Sequence, residues 1–116
     1  AIETTLFCER DALKLVEDKT DLFIIDLKIF DSFQHRYYTG KSNEIIKENF
    51  RYIAALAKEI IVRIPLIDNI TNTEENLKAI TDFVQKTRND IPIEKVEFNP
   101  LAGNNYEKLG IPFLLK

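Results

Sequence analysis

Asp26 and Lys28 stand two residues apart at the end of a run, Leu22-Phe23-Ile24-Ile25-Asp26-Leu27-Lys28, that is otherwise apolar. Side chains alternate along an extended strand, so the two charges share a face with Leu22 and Ile24, and Phe23, Ile25 and Leu27 occupy the other. A carboxylate and an ammonium at a strand end have three chemical uses. They can hold a ligand, since ligands of β/α folds sit at the carboxyl ends of parallel strands. The lysine can form a Schiff base with a carbonyl substrate. Or the two charges can pair as an ordinary ion pair in a non-catalytic α/β interaction module.

Arg63 is the single charge within Ile60-Ile61-Val62-Arg63-Ile64-Pro65 and shares a face with Ile61 and Pro65. An inward guanidinium needs an acidic partner or a ligand, and its planar fork suits carboxylate or phosphate. Glu3, Asp26 and Glu97 are the candidate partners on adjacent strands. From their position alone, Glu3 and Thr4 read as ordinary polar residues at the end of a first strand. The single histidine, His35, lies among Phe33, Tyr37 and Tyr38, with no second histidine to share a metal, and reads as a surface or helix-packing residue. Cys8 reads as a small buried hydrophobe. A glycine-rich phosphate loop and a Gly-x-Ser-x-Gly elbow are both missing from the sequence.

Three short apolar runs must position these groups. The first covers residues 21–28, the second begins with Ile60 and the third with Ile93. Each is too short for a buried helix and suits a parallel strand covered on both faces. Ala1-Ile2-Glu3-Thr4-Thr5 reads as the tail of a further strand entered midway. Helical patterns fill the gaps, as parallel crossovers require. Ser42 or Asn43 caps a helix carrying Ile46, Phe50, Ile53, Leu56 and Ala57 on one face. Thr71 to Thr73 and the acidic Glu74-Glu75 precede a helix carrying Leu77, Ile80, Phe83 and Val84. A shorter helix is expected over residues 9–17, and Asp31 with Gln34 caps another turn or two through Tyr38. The expected fold is α/β: a partial (β/α) barrel with three to four parallel strands and flanking helices, or a small open sheet.

Composition narrows the partners. With 16 basic and 19 acidic residues mixed along 116 positions, no block of one sign is long enough to track a phosphate backbone, so nucleic acid is not an expected partner. The apolar runs fall well short of the ~20 residues that span a bilayer, and no signal sequence opens the chain. One cysteine cannot form an internal disulfide, which fits a reducing compartment and a cytoplasmic location.

Read in order, Ile2-Glu3-Thr4-Thr5, Asp26-Leu27-Lys28, Asp31, His35, Thr39-Gly40, Asn43, Ile46, Asn49, Arg63-Ile64-Pro65-Leu66-Ile67, Glu75-Asn76 and Tyr106-Glu107-Lys108-Leu109-Gly110 form a distinctive succession. It resembles the later half of the pyruvate formate-lyase activating enzymes of the radical S-adenosylmethionine superfamily, over residues 2–111. The resemblance implies that residues 1–116 are the C-terminal part of a partial barrel. The part binding a [4Fe-4S] cluster through Cys-x3-Cys-x2-Cys, and a Gly-Gly-Glu segment, would precede residue 1. It also implies S-adenosylmethionine as cofactor, whose reductive cleavage gives a radical that takes a hydrogen from a glycine of a pyruvate formate-lyase-type partner. An electron donor such as flavodoxin or ferredoxin goes with that chemistry. On this resemblance Asp26, Lys28 and Arg63 help to hold S-adenosylmethionine, and Glu3 and Thr4 match an Asp-Thr pair near the cofactor and a bound monovalent cation. No catalytic residue and no cluster ligand falls within the chain, so the fragment by itself is expected to be inactive. Three departures accompany the match. Glu3 replaces aspartate, Asp68-Asn69-Ile70-Thr71-Asn72 replaces a Pro-Gly-x-Asn-Asp loop, and Asn99-Pro100-Leu101-Ala102 replaces Leu-Pro-Tyr-His, leaving its histidine without a counterpart.

Overall fold

The computed structural model describes residues 1–97, so Phe98, the Asn99–Ala102 segment and the Tyr106–Gly110 segment lie outside the described residues. In chain order the elements are β1 (Ile2–Thr4), α1 (Arg10–Glu17), β2 (Leu22–Asp26), α2 (Ser32–Thr39), α3 (Glu44–Ala55), β3 (Glu59–Leu66), α4 (Glu74–Thr87) and β4 (Ile93–Glu97). The four strands form one parallel sheet in the order β1-β2-β3-β4.

Strand order determines where the helices go. Each crossover between parallel neighbours is right-handed, and because every strand is added on the same side of the last, every crossover lands on the same face. The core records this arrangement. Leu13 of α1, Ile46, Phe50 and Ile53 of α3, and Ile80 and Val84 of α4 cluster with Phe23 and Ile25 of β2 and Ile60, Val62 and Ile64 of β3. Phe23, Ile25, Phe50, Ile53, Val62 and Ile64 are fully shielded from solvent, each such burial being worth roughly 1.5–3 kcal/mol.

The opposite face carries no helix among the described residues. Leu22, Ile24, Asp26, Ile61 and Arg63 are half-buried, which corrects the expectation that the strands are covered on both faces. The continuous apolar runs have a different cause: one face packs on helices, and the other lines a half-open apolar surface crossed by charges.

The helix ends follow their sequence signals except at α3, which stops at Ala55: Leu56 is its C-cap and Ala57 lies beyond it at φ 58°, so neither continues the helical face expected from sequence. Asp31 caps α2 by accepting from Gln34 N at 2.9 Å, and Gly40 closes it at φ 79°, where a side chain would be strained. Thr73 Oγ1 accepts from Asn76 N at 3.1 Å to cap α4. Asn43 occupies the N-cap position of α3, but its side chain makes no cap bond and reaches the loop after β2 instead.

Candidate functional site

The register places the expected residues with respect to one another. Asp26 of β2 lies beside Arg63 of β3, which lies beside Glu94 of β4, so all three form one row on the open face. Glu3 pairs with Ile24 on that same face. Thr4 pairs with Ile25 and so falls on the helix side, where its hydroxyl accepts from Leu6 N at 3.0 Å. Arg63 Nε donates to Glu94 Oε2 at 3.1 Å, and its Nη1 lies 3.7 Å from Glu3 Oε1. Glu97, one of the partners expected from sequence, pairs in register with Leu66 on the other face. The period-two alternation of β4 puts Glu94 there instead.

Lys28 lies just past the end of β2, so it is not the last residue of a strand as its alternation suggests. It is only 6% exposed. Together with Asp26 it lines a small cleft of about 80 Å³ at the carboxyl end of β2, closed on other sides by Thr5, Phe7, His35 and Asn43. Among the described residues no carboxylate lies within ion-pair distance of its ammonium. Burial holds the Lys28 pKa below its ordinary value, against the opposing pull of Asp26. Burial likewise raises the Asp26 pKa, with Glu3 adding to the rise and Lys28 and Arg63 opposing it. The two charges are close enough to affect one another and remain available to a third group.

His35 is the buried residue of α2, in keeping with a helix-packing role. It is 6% exposed, and its Nδ1 lies 2.6 Å from Lys41 O. A carbonyl only accepts, so Nδ1 carries the proton, and Nε2 is the acceptor in the neutral ring. Burial lowers its pKa, and Lys28 and Lys47 act in the same direction against the Lys41 carbonyl. Cys8 is half-buried and packs against the core as expected, its thiol pKa raised by burial.

The loops bearing these groups are held by buried asparagines, which composition does not reveal. Asn49 Nδ2 donates to Leu6 O at 2.9 Å and Cys8 O at 2.7 Å, fixing the loop after β1. Leu6 there is fully buried with φ 62°, a left-handed conformation rare for leucine that persists only where surroundings enforce it. Asn43 Nδ2 donates to Ile29 O and Phe30 O at 3.0 and 2.8 Å, just beyond Lys28. The one sequence signal for these clamps is asparagine within or at the start of an amphipathic helix, on its apolar side.

Chemically, the row Glu3, Asp26, Arg63 and Glu94 offers carboxylate acceptors for amino, cationic or hydroxyl groups, and Lys28 offers a cation for a carboxylate. Among the described residues no three His, Cys, Asp or Glu side chains converge to hold a metal ion. With Cys8 alone, they do not fit a [4Fe-4S] cluster.

A four-stranded parallel sheet wound in one direction, with helices on one face and charges at its carboxyl ends, is an α/β fold of the barrel-arc kind. The chain is 31% identical over 111 residues to the trans-4-hydroxy-L-proline dehydratase activating enzyme of Clostridioides difficile, covering 94% of this chain and 36% of that protein. It is 32% identical over 120 residues to the indoleacetate decarboxylase activating enzyme of Tractidigestivibacter scatoligenes, covering 99% and 36% respectively. It is 29% identical over 97 residues to the pyruvate formate-lyase-activating enzyme of Streptococcus mutans, covering 84% and 37%. The chain thus spans about a third of the length of the curated relatives it matches. No protein-family model matches it. In fold it superposes on a crystal structure of a domain of pyruvate-formate lyase-activating enzyme from Bacteroides vulgatus with a TM-score of 0.66, at 24% identity, over 92% of this chain and 72% of that one. The resemblance carried by the sequence therefore holds: the chain is similar to one part of the activating enzymes of glycyl-radical enzymes.

Proposed function

We propose that residues 1–116 are the cofactor-cradling C-terminal part of an activating enzyme that installs a glycyl radical on a partner enzyme, with Asp26, Lys28 and Arg63 holding S-adenosylmethionine. The observation that carries this reading is Lys28: a cation 6% exposed, beside Asp26 at the carboxyl end of a strand, with no carboxylate within ion-pair distance among the described residues. A free carboxylate such as that of a methionyl group satisfies it. When bound, S-adenosylmethionine supplies one-electron abstraction of a hydrogen atom from a glycine Cα. This chain's residues bind and orient. Lys28 donates to the carboxylate, Asp26 accepts from amino or ribose hydroxyl groups, and Arg63, tied to Glu3 and Glu94, fixes the row beside them. Glu3 and Thr4, at the neighbouring strand end, are the residues for a monovalent cation. The iron-sulfur cluster belongs to a Cys-x3-Cys-x2-Cys loop outside these residues, reduced by a flavodoxin or ferredoxin. The lone cysteine is in keeping with a cytoplasmic setting, and no helix among the described residues is long and apolar enough to cross a membrane.

Calorimetric titration of the 116-residue chain with S-adenosylmethionine tests the cradle. Saturable binding that Lys28→Ala abolishes is expected, and heats equal for parent and variant overturn the reading. The coding sequence upstream tests the activity. A triple-cysteine loop within the preceding hundred or so codons is expected, and a gene lacking one overturns it.

One observation favours a second reading. The lowered Lys28 pKa also suits an amine nucleophile. Borohydride trapping of a carbonyl substrate on Lys28 would replace the proposed function with a Schiff-base mechanism.

A further inference from the structure

The residues 27–30 that carry Lys28 have no regular secondary structure, yet Leu27 N, Lys28 O, Ile29 O, Phe30 N and Phe30 O are all hydrogen-bonded. Leu27 N donates to Arg63 O at 3.0 Å, which anchors the segment's start to β3. Beyond that point two side chains anchor it: Asn43, which holds Ile29 O and Phe30 O, and Asn76, in the first turn of α4 and 6% exposed, which alone reaches Lys28 itself. Its Nδ2 donates to Lys28 O at 2.7 Å and to Thr71 O at 2.9 Å, and its Oδ1 accepts from Phe30 N at 2.8 Å. Both amide hydrogens and the amide oxygen are thus used, all on backbone groups, and no other side chain of this size offers two donors and an acceptor in that fork.

The other end of this clamp is equally fixed. Thr71 is fully buried, its hydroxyl accepts from Ile67 N at 2.6 Å and donates to Pro65 O, and its carbonyl meets Asn76. Ile67 O accepts from the amides of Ile70, Thr71 and Asn72 at 3.0–3.1 Å, closing the loop after β3 on itself. Asn76 N is in turn held by Thr73 at the start of α4. Asn76 therefore joins two strand-exit loops, the one bearing Lys28 and the one continuing from the strand of Arg63, and transmits the rigidity of the second to the first.

We infer that Asn76 is a positioning residue for Lys28, its amide fixing the backbone from the lysine's own carbonyl to Phe30 N so that, with Leu27 N held by Arg63 O, the ammonium is delivered into the cleft beside Asp26. The inference rests on the reading of Lys28 as a ligand-holding cation. It adds the residue, 48 positions away in the chain, on which that placement depends. Stability alone would not require this particular amide, because a buried backbone carbonyl is satisfied equally well by water or by a hydroxyl.

The test uses the 116-residue chain labelled with ¹³Cε-lysine, the Lys28 resonance being assigned by its loss in Lys28→Arg. In Asn76→Ala the Lys28 titration is expected to move up toward the ordinary lysine range as the loop opens to water, and S-adenosylmethionine affinity to fall about tenfold. Asn76→Gln, which keeps the amide but displaces it by a methylene, is expected to shift both in the same direction by less, and it carries the test if the alanine variant does not fold. Val84→Ala, on the same helix but in the core, lowers stability and is expected to leave the Lys28 titration in place. A Lys28 titration unmoved in the Asn76 variants, or moved as far by Val84→Ala, overturns the inference. If the parent binds no S-adenosylmethionine and the Asn76 variants still move Lys28, positioning is upheld and the functional reading fails.

Discussion

The two faces of the sheet are made from the same strands and obey different rules. On the helix side, Phe23, Ile25, Val62 and Ile64 are fully buried and interlock with α1, α3 and α4. On the open side, two residues' width away, Leu22, Ile24 and Ile61 are only half-covered and share their surface with Asp26, Arg63 and Glu3. The first face is where the free energy of folding resides, because close packing penalises any lost methylene. The second tolerates charge because water still reaches it, which leaves carboxylates and a guanidinium ready for a ligand. Core packing and the charged row are thus assigned to opposite parities of the same strands, with Lys28 at their end in a cleft that Ile46 and Ile80 also line, and substitutions should separate them.

The largest expected effect is on the helix side. Phe50→Ala removes a fully buried ring that packs tilted against Phe83 with centroids 5.3 Å apart, and should lower the free energy of unfolding by about 3–5 kcal/mol. Urea denaturation followed by circular dichroism measures it, and a loss below ~1 kcal/mol would mean that this face is not the stabilising one.

Next comes a residue bridging the two functions. Asn49→Ala leaves Cys8 O without its partner and Leu6 O with the Cys8 amide alone, and loosens a leucine held in the left-handed conformation, for a loss of about 1–3 kcal/mol. Hydrogen exchange should show the loop after β1 opening before the sheet does.

Lys28→Met should act in the opposite sense. The folded-state pKa of Lys28 is lowered from 10.5, so between that lowered value and 10.5 the unfolded chain holds the proton more tightly than the folded one. Stability from this group therefore rises with pH across that window and is reduced below it. The methionine variant should match or exceed the parent in thermal stability at pH 7, lose the alkaline rise, and fail to bind S-adenosylmethionine. Asp26 has the complementary sign. Its raised pKa makes stability fall as pH climbs from 3.8 through the folded value, and Asp26→Asn should flatten that part of the curve.

The smallest stability change is expected for Arg63→Ala, below about 1 kcal/mol, because its ion pairs with Glu3 and Glu94 are partly exposed and screened. If ligand affinity falls while stability barely moves, the contrast between the faces is sharpened. A large loss of stability would erase it.

The sequence makes the scaffold legible because periodicity is a local property. Ile46, Phe50 and Ile53 mark α3, Ile80 and Val84 mark α4, and the caps at Asp31 and Thr73 lie where short polar residues precede those patterns. The neighbourhood of Asp26 and Arg63 is legible for the same reason, since the row they share follows from alternation once the strands are parallel. Other features depend on register or on long-range hydrogen bonds. Glu94, not Glu97, meets Arg63 because pairing starts from Val62 and Ile93. Asn43 reads as a helix cap, and Asn49 and Asn76 enter only as members of the family succession, yet their amides serve backbone groups far along the chain. His35 reads as a packing residue and is one, but only the fold brings Lys41 O to its Nδ1 and Lys28 to its vicinity. The open face escapes sequence reading because an apolar strand facing a half-open surface and one sandwiched between helices have the same composition.

The strand order has a kinetic consequence. Ile2 pairs with Phe23, Phe23 with Ile60, and Val62 with Ile93, so each strand meets only the strand before it and the strand after it in sequence. Loop closure then proceeds in successive steps of similar size, with no long excursion to be closed before any contact rewards it. A chain emerging from the ribosome amino end first can dock β2 on β1 with α1 already spanning them, then add α3 and β3, and then α4 and β4. The sheet grows as it is made, and at each stage the edge left by the newest strand is the one that the next segment to be synthesised will cover.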